Sequence, residues 1–155
     1  MLLQEDLELR KTLGRNYAFR GLPEAVITTI AGLAVKREFG KGERLVERFG
    51  PGSDLLVLLE GRASIHAPNG ETVADFGPGS IIGEISLVDE QPRSATVTAT
   101  TAGVAAVIPM PALRGAINMD PAIGLTIMTN IARILCLRLR HMDDFVDAIG
   151  MRERG

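Results

Sequence analysis

The chain has 155 residues, 46% hydrophobic and 23% charged, which is the size and composition of one folded domain and excludes a disordered tail. Seventeen basic against nineteen acidic side chains leave a formal charge of −2, with no global excess to attract nucleic acid. Aromatic residues are only 4%, too few for the stacking platforms that hold single strands.

The N-terminus, Met1-Leu2-Leu3-Gln4-Glu5-Asp6, puts acids where a secretory signal needs a basic start and an apolar run. Leu3, Leu7 and Leu9 among charges read as a helix that Gly14 interrupts. A second helix is predicted from Leu22-Pro23-Glu24 through Ala31, since proline suits a first helical turn. From Val35 short apolar runs are cut by glycine. Arg44–Phe49, Leu55–Leu59, Ala63–Ala67 and Thr72–Phe76 all have strand length. Pro68-Asn69-Gly70 predicts a hairpin turn, because Asn-Gly tolerates positive φ. Ala95–Thr100 alternates small apolar and hydroxyl residues, the period of a half-buried strand. Phe49-Gly50-Pro51-Gly52-Ser53 recurs as Phe76-Gly77-Pro78-Gly79-Ser80, and Pro-Gly in both copies reads as two similar corners of one β-roll.

After Pro109 the helical pattern returns. A short helix is predicted around Pro111-Ala112-Leu113-Arg114, and Asp120-Pro121 opens a long one expected to reach Ile149, ahead of Gly150. Two apolar stripes run along it. Leu125, Met128, Ala132, Leu135, Leu139, Met142, Val146 and Ile149 keep heptad spacing, and Ile123, Ile127, Ile131, Ile134 and Phe145 lie on an adjoining face. One stripe suits the chain's own domain and the other a second subunit; a single broad stripe buried within a monomer is the alternative. No run of about 18 apolar residues is free of charge, which argues against a transmembrane span. Cys136, the single cysteine, has no internal partner and fits a reducing, cytoplasmic setting. The expected architecture is α+β: an antiparallel β-roll, or jelly roll, over 35–109, flanked by an N-terminal helical segment (1–34) and C-terminal helices (110–155), together one domain.

The stretch 76–97 carries the chemistry. Gly83 before Glu84-Ile85-Ser86-Leu87 can begin a single helical turn, whose free N–H groups attract an anion. Arg93, at the approach to the next strand, is close enough in sequence to return to the same spot and complete a phosphate cradle. A carboxylate at Glu84 belongs in such a site only if it accepts from a neutral donor such as a sugar hydroxyl. Phosphate plus sugar hydroxyl implies a nucleotide.

Gly83-Glu84-Ile85-Ser86-Leu87, five intervening residues, then Arg93-Ser94-Ala95-Thr96-Val97 resembles the phosphate-binding cassette of cyclic-nucleotide-binding domains, as in the catabolite activator protein, protein kinase A regulatory subunits and cyclic-nucleotide-gated channels. Phe19-Arg20-Gly21-Leu22-Pro23 resembles the family's helical approach, and Lys41-Gly42-Glu43, Gly52-Ser53-Asp54 and Leu59-Glu60-Gly61 its glycine-marked corners. The likeness covers roughly 17–145. It implies that Glu84 accepts the ribose 2′-hydroxyl, Arg93 binds the exocyclic phosphate oxygens and Ser94 adds a hydroxyl. Backbone N–H groups of Gly83, Ile85, Ser86 and Ala95 would complete the cradle. A residue of the last helix caps the base in the family. Leu135, Arg138 and Leu139 are the candidates here, with Arg138 either stacked on a purine or solvated. The resemblance favours cyclic AMP over cyclic GMP.

Other chemistries lack their residues. Gly77, Gly79 and Gly83 miss the dinucleotide fingerprint and its strand-to-helix setting. Two histidines, His66 and His141, do not make a jelly-roll metal centre, so no metal is expected, and Ser86 and Ser94 have no evident base for a hydrolytic triad. The expectation is a non-enzymatic sensor that dimerises through its last helix and relays occupancy to a partner protein. The few residues after Ile149 leave no room for a DNA-reading helix-turn-helix. A ligand-free interaction module of the same fold and a fragment of a longer regulator are the alternatives.

Overall fold

The computed structural model describes residues 2–84, 93 and 95–154. The chain opens with α1 (Leu2–Arg15), a 3-10 turn (Tyr17–Phe19) and α2 (Glu24–Leu33). The strands that follow are β1 (Val35–Phe39), β2 (Arg44–Val46), β3 (Leu55–Glu60), β4 (Ala63–His66), β5 (Thr72–Phe76), β6 (Ile81–Ile82), β7 (Val97–Ala99) and β8 (Gly103–Ile108). Helices α3 (Met110–Met119) and α4 (Pro121–Arg154) close the chain. Two antiparallel sheets, ordered β1-β8-β3-β6 and β2-β7-β4-β5, form the expected roll between N-terminal helices and a long C-terminal one.

β3 shows why the roll is stable. Leu55-Leu56-Val57-Leu58 lacks the polar alternation of a one-sided strand because both of its faces are covered. Leu55 and Val57 pack into a helical core with Ile30, Leu113 and Ile127, while Leu56 and Leu58 pack into an inter-sheet core with Phe39, Val97 and Ala105. Each such side chain contributes on the order of 1.5–3 kcal/mol through burial. The Pro68-Asn69-Gly70 turn joins β4 to β5 as its sequence predicts, with Gly70 at φ 87° and its N–H donating to the Ala67 carbonyl. β2 stops at Val46 instead of reaching Phe49. Its pairing slips at a bulge, and Phe49 adopts a left-handed φ of 63° that no strand accommodates.

The helices depart from expectation in two places. α1 continues through Gly14 to Arg15, and Asn16 ends it. The Asn16 side chain accepts from the Ala18 N–H (2.9 Å) and donates to the Gly79 carbonyl (2.7 Å), pinning the 3-10 turn to a corner of the roll. α4 runs through Gly150 to Arg154, since an internal glycine costs only about 1 kcal/mol and does not by itself stop a helix. Its start is as read: Asp120 Oδ1 accepts from the Ala122 N–H at 3.0 Å.

Of the two stripes on α4, the isoleucine face is the one that packs inward. Ile127 and Ile131 are fully buried in the helical core, with Ile123 packed beside them. On the heptad seam Met128 and Leu135 are half-buried, but Leu125 is 70% and Leu139 60% exposed. Met142, Phe145, Val146 and Ile149 lie outside the described side chains. Residues 121–141 are long and apolar enough to cross a membrane by length and composition alone, at a mean hydropathy of 1.5, although charged Arg133, Arg138 and Arg140 interrupt them. Within the fold this helix is fastened by Asn130, whose buried amide donates to the carbonyls of Ala18 (3.2 Å) and Arg20 (2.8 Å). Asn130→Ala would leave both acceptors without that donor, so we expect a loss of about 1–3 kcal/mol in urea unfolding, with α4 exchanging amide hydrogens faster beside the 3-10 turn.

Candidate functional site

β6 delivers the chain to Gly83, which turns at φ 97°. A Cβ there would collide with Arg93 Nη1, so both the backbone angle and the guanidinium require glycine. Glu84 follows at the start of the predicted turn, the rest of which lies outside the described residues. Ile85, Ser86 and Ser94 lie outside the described residues.

Arg93 is 7% exposed. Its Nη2 donates to the main-chain carbonyl of Asp54 at 2.6 Å, while Nη1 is buried with no hydrogen-bond partner among the described residues. Burial pulls the guanidinium's pKa below its usual value, and the charge of Asp54 works against that shift. A buried cationic donor left unsatisfied costs about 1–3 kcal/mol or more. An anionic oxygen at Nη1 would remove that penalty, and phosphate fits it in charge and geometry.

Glu84 is equally buried but differently served. Its Oε1 lies 2.8 Å from Arg138 Nη1, an ion pair between the cassette and α4 in which the Glu84 side chain is 7% and Arg138 48% exposed. Tyr17 belongs to the same group: burial raises its phenol pKa, the Glu84 charge raises it further, and Arg138 lowers it. The carboxylate thus pairs the cassette with the last helix, and its charge is felt at the 3-10 turn.

Gly83, Glu84, Arg93, Ala95 and Arg138 border one cavity of about 500 Å³, within the range of small-molecule sites. Its other walls are apolar, with Val46, Ile65 and Ala74 on the β2-β7-β4-β5 sheet and Ile82 and Val97 beside the polar end. Asp75 also lines it. Leu135 and Leu139 do not line the cavity. Leu135 packs on the helical core and Leu139 faces out, whereas Arg138 continues the inward Ile127-Ile131-Ile134 stripe at the same 3-4 spacing. That spacing was the available signal for Arg138, which pairs with Glu84. Tyr17 and Asp54 carry no motif, so sequence reasoning missed them. Outside the cavity, His66 on β4 bonds Ser64 Oγ (2.7 Å), with Ser64 fully buried and His66 exposed.

The family described as cyclic nucleotide-binding domain matches residues 36–120, and the chain belongs to it. Glutaminase 2 of Bradyrhizobium diazoefficiens is 30% identical over 137 residues, covering 88% of this chain and 22% of that protein. The cAMP-dependent protein kinase regulatory subunit of Debaryomyces hansenii is 34% identical over 97 residues, covering 63% of this chain and 21% of that one. The chain therefore spans about a fifth of the length of these relatives. A crystal structure of a cyclic nucleotide-binding domain from Methylobacillus flagellatus shares the fold, at a TM-score of 0.75 and 24% identity over 92% of this chain and 83% of that one.

Tyr17 is the chain's one tyrosine, so tyrosinate absorbance reports the cluster without any ligand. We expect its midpoint above the ordinary value of 10.0, lowered in Glu84→Gln and raised further in Arg138→Gln, by the signs of the charges removed. An unchanged midpoint in both variants would mean that the three side chains do not share one site in solution.

Proposed function

We propose that this chain is a cyclic-nucleotide sensor, with cyclic AMP as its ligand, that carries no catalysis and relays occupancy through α4 to a partner protein in the cytoplasm. The observation that carries this reading is the buried Arg93 Nη1, a charged donor with no acceptor among the described residues, at the border of the cavity. Arg93 takes the exocyclic phosphate oxygens. Glu84 accepts the ribose 2′-hydroxyl on one carboxylate oxygen while Arg138 holds the other. The Ser94 hydroxyl and the backbone N–H groups of Gly83, Ile85, Ser86 and Ala95 complete the cradle. The apolar walls take the purine, and they suit adenine better than the more polar guanine. We read the segments 1–34, 35–109 and 110–155 as one unit, because the roll and α4 share the cavity and Leu13, Phe19 and Ile30 pack in one core with Leu55 and Ile127.

Two observations support a relay. Arg138 joins α4 directly to Glu84, so a ligand that engages Glu84 also acts on the helix. The same helix exposes Leu125 and Leu139 along its heptad seam, a surface that suits a second copy of the chain. The Bradyrhizobium relative is a glutaminase of which the matching segment is about a fifth, which supports a module that reports to an activity housed elsewhere.

Calorimetry tests the ligand. Arg93→Ala should weaken cyclic AMP binding by about 2–4 kcal/mol, roughly 30- to 1,000-fold, and the 2′-deoxy analogue should bind wild type more weakly by about 1–3 kcal/mol. No binding at millimolar nucleotide would leave a ligand-free interaction module in its place. Sedimentation tests the relay surface: we expect a dimer whose dissociation constant changes with cyclic AMP and rises in Leu139→Glu. A monomer at every concentration would remove the dimer.

A further inference from the structure

Phe49, in the loop between β2 and β3, is a bulky side chain held outward against the preference of its backbone. Among the described residues it is the only non-glycine with a positive φ, at 63°, and its side chain is 73% exposed, so no burial offsets the strain. Bonds from the main chain fix it there. The Phe49 N–H donates to the Arg93 carbonyl at 2.9 Å, the Gly50 N–H to the Glu47 carbonyl at 3.0 Å, and the Arg48 N–H to Thr96 Oγ1 at 2.9 Å. The Arg48 guanidinium lies over one face of the ring, 4.6 Å from its centroid, and the other face is left to solvent. A matching recess lies on the N-terminal helices. Leu7, Lys11 and Gly14 share one face of α1, and with Leu22, Glu24 and Ile27 they line a groove of about 340 Å³ between α1 and α2. A cavity of about 150 Å³ already holds benzene, so the groove has room for a phenyl ring and part of a guanidinium. Gly14 keeps it open, since a Cβ there would meet nothing within 4 Å.

We propose that the Phe49 side chain of one copy seats in the α1–α2 groove of a second copy, with Arg48 pairing to Glu24 at the rim. A ring this exposed in its own chain is not in its own groove, so the two meet only between copies. Leu7, Leu22 and Ile27 receive the ring. Arg10 and Lys11 make the α1 side of the groove basic, which steers Arg48 to the α2 side, where the exposed Glu24 carboxylate stands. Lys11, which pairs with Glu8 at 3.7 Å, then lies toward the ring's open face. Aromatic and arginine side chains seated in a pocket carry much of an interface's energy, and the fixed loop leaves little ordering cost for association. The contact joins unlike surfaces, so each pair retains one free ring and one free groove unless the assembly closes. It is separate from the heptad seam of α4 and independent of any bound nucleotide.

The test is sedimentation of the 155-residue chain carrying Leu139→Glu, which takes the heptad seam out of the measurement. This chain should still self-associate, in the micromolar to millimolar range. Adding Phe49→Ser should weaken that association by about tenfold or more, as loss of an aromatic anchor does. Gly14→Leu, which fills the groove, should weaken it equally while leaving the thermal midpoint unchanged or raised, because leucine favours a helix more than glycine. Arg48→Glu should cost about two- to fivefold, and Glu24→Arg in the same chain should restore it. The Phe49→Ser chain keeps its groove and the Gly14→Leu chain keeps its ring. Mixed in equal amounts they should form a dimer and nothing larger. Monomers in that mixture, or undiminished association of the folded Phe49→Ser chain, overturn the proposal. So does a Leu139→Glu chain that is monomeric at every concentration, which would leave Phe49 to a partner of another kind.

Discussion

A buried guanidinium with Nη2 committed and Nη1 without a partner among the described residues is the constraint around which the site is arranged. Arg93 needs its positive charge neutralised and its donors met, and the fold meets only part of that need: the Asp54 carbonyl takes Nη2, while the Asp54 charge opposes the loss of the proton that burial favours. The remainder is directed at a cavity of molecular size. Gly83 is glycine because a side chain would occupy the place where Nη1 lies. In an apolar-walled pocket a buried unsatisfied cation is strongly unfavourable, and that same cost makes the site selective for an anion that can accept from Nη1.

The last helix is held to this site by polar contacts on a face that is otherwise isoleucine. Ile127 and Ile131 are buried in the core, Asn130 bonds the carbonyls of Ala18 and Arg20, and Arg138 reaches Glu84. Hydrophobic burial supplies adhesion without direction, whereas the amide and the ion pair fix the helix in one register. The ion pair is half open to water, so its own contribution to stability is modest. Its importance lies in connection, because it ties the cassette directly to the helix.

Much of the fold was legible in the residues, and each legible part had a local cause. Asn69-Gly70 dictated a hairpin through positive φ, Asp120-Pro121 dictated a capped helix start, and glycine-punctuated apolar runs dictated short strands. The Gly83-Glu84 and Arg93-Ala95 pairing pointed to an anion cradle, because those residue types serve few other purposes at that spacing. Boundaries were less legible. Phe49 ends β2 by adopting a left-handed angle that nothing in its side chain announces, and α4 passes through Gly150 because a glycine weakens a helix without ending it.

What tertiary structure alone decided is which distant groups meet. Arg138 and Leu139 are neighbours in sequence, yet one enters the cavity and the other faces outward, because the isoleucine stripe sets the rotation of α4 against the roll. Tyr17 joins Glu84 only when the 3-10 turn is pinned by Asn16 to Gly79. Asp54 meets Arg93 with one atom and Met110 with another only when β3 pairs with β8 in the register that sets Leu55 opposite Ile108. Composition and spacing act over a few residues, within reach of a turn or a cap. Contacts spanning 39 to 112 positions depend on how whole sheets and helices pack, and no local preference of a residue specifies its partner at that range.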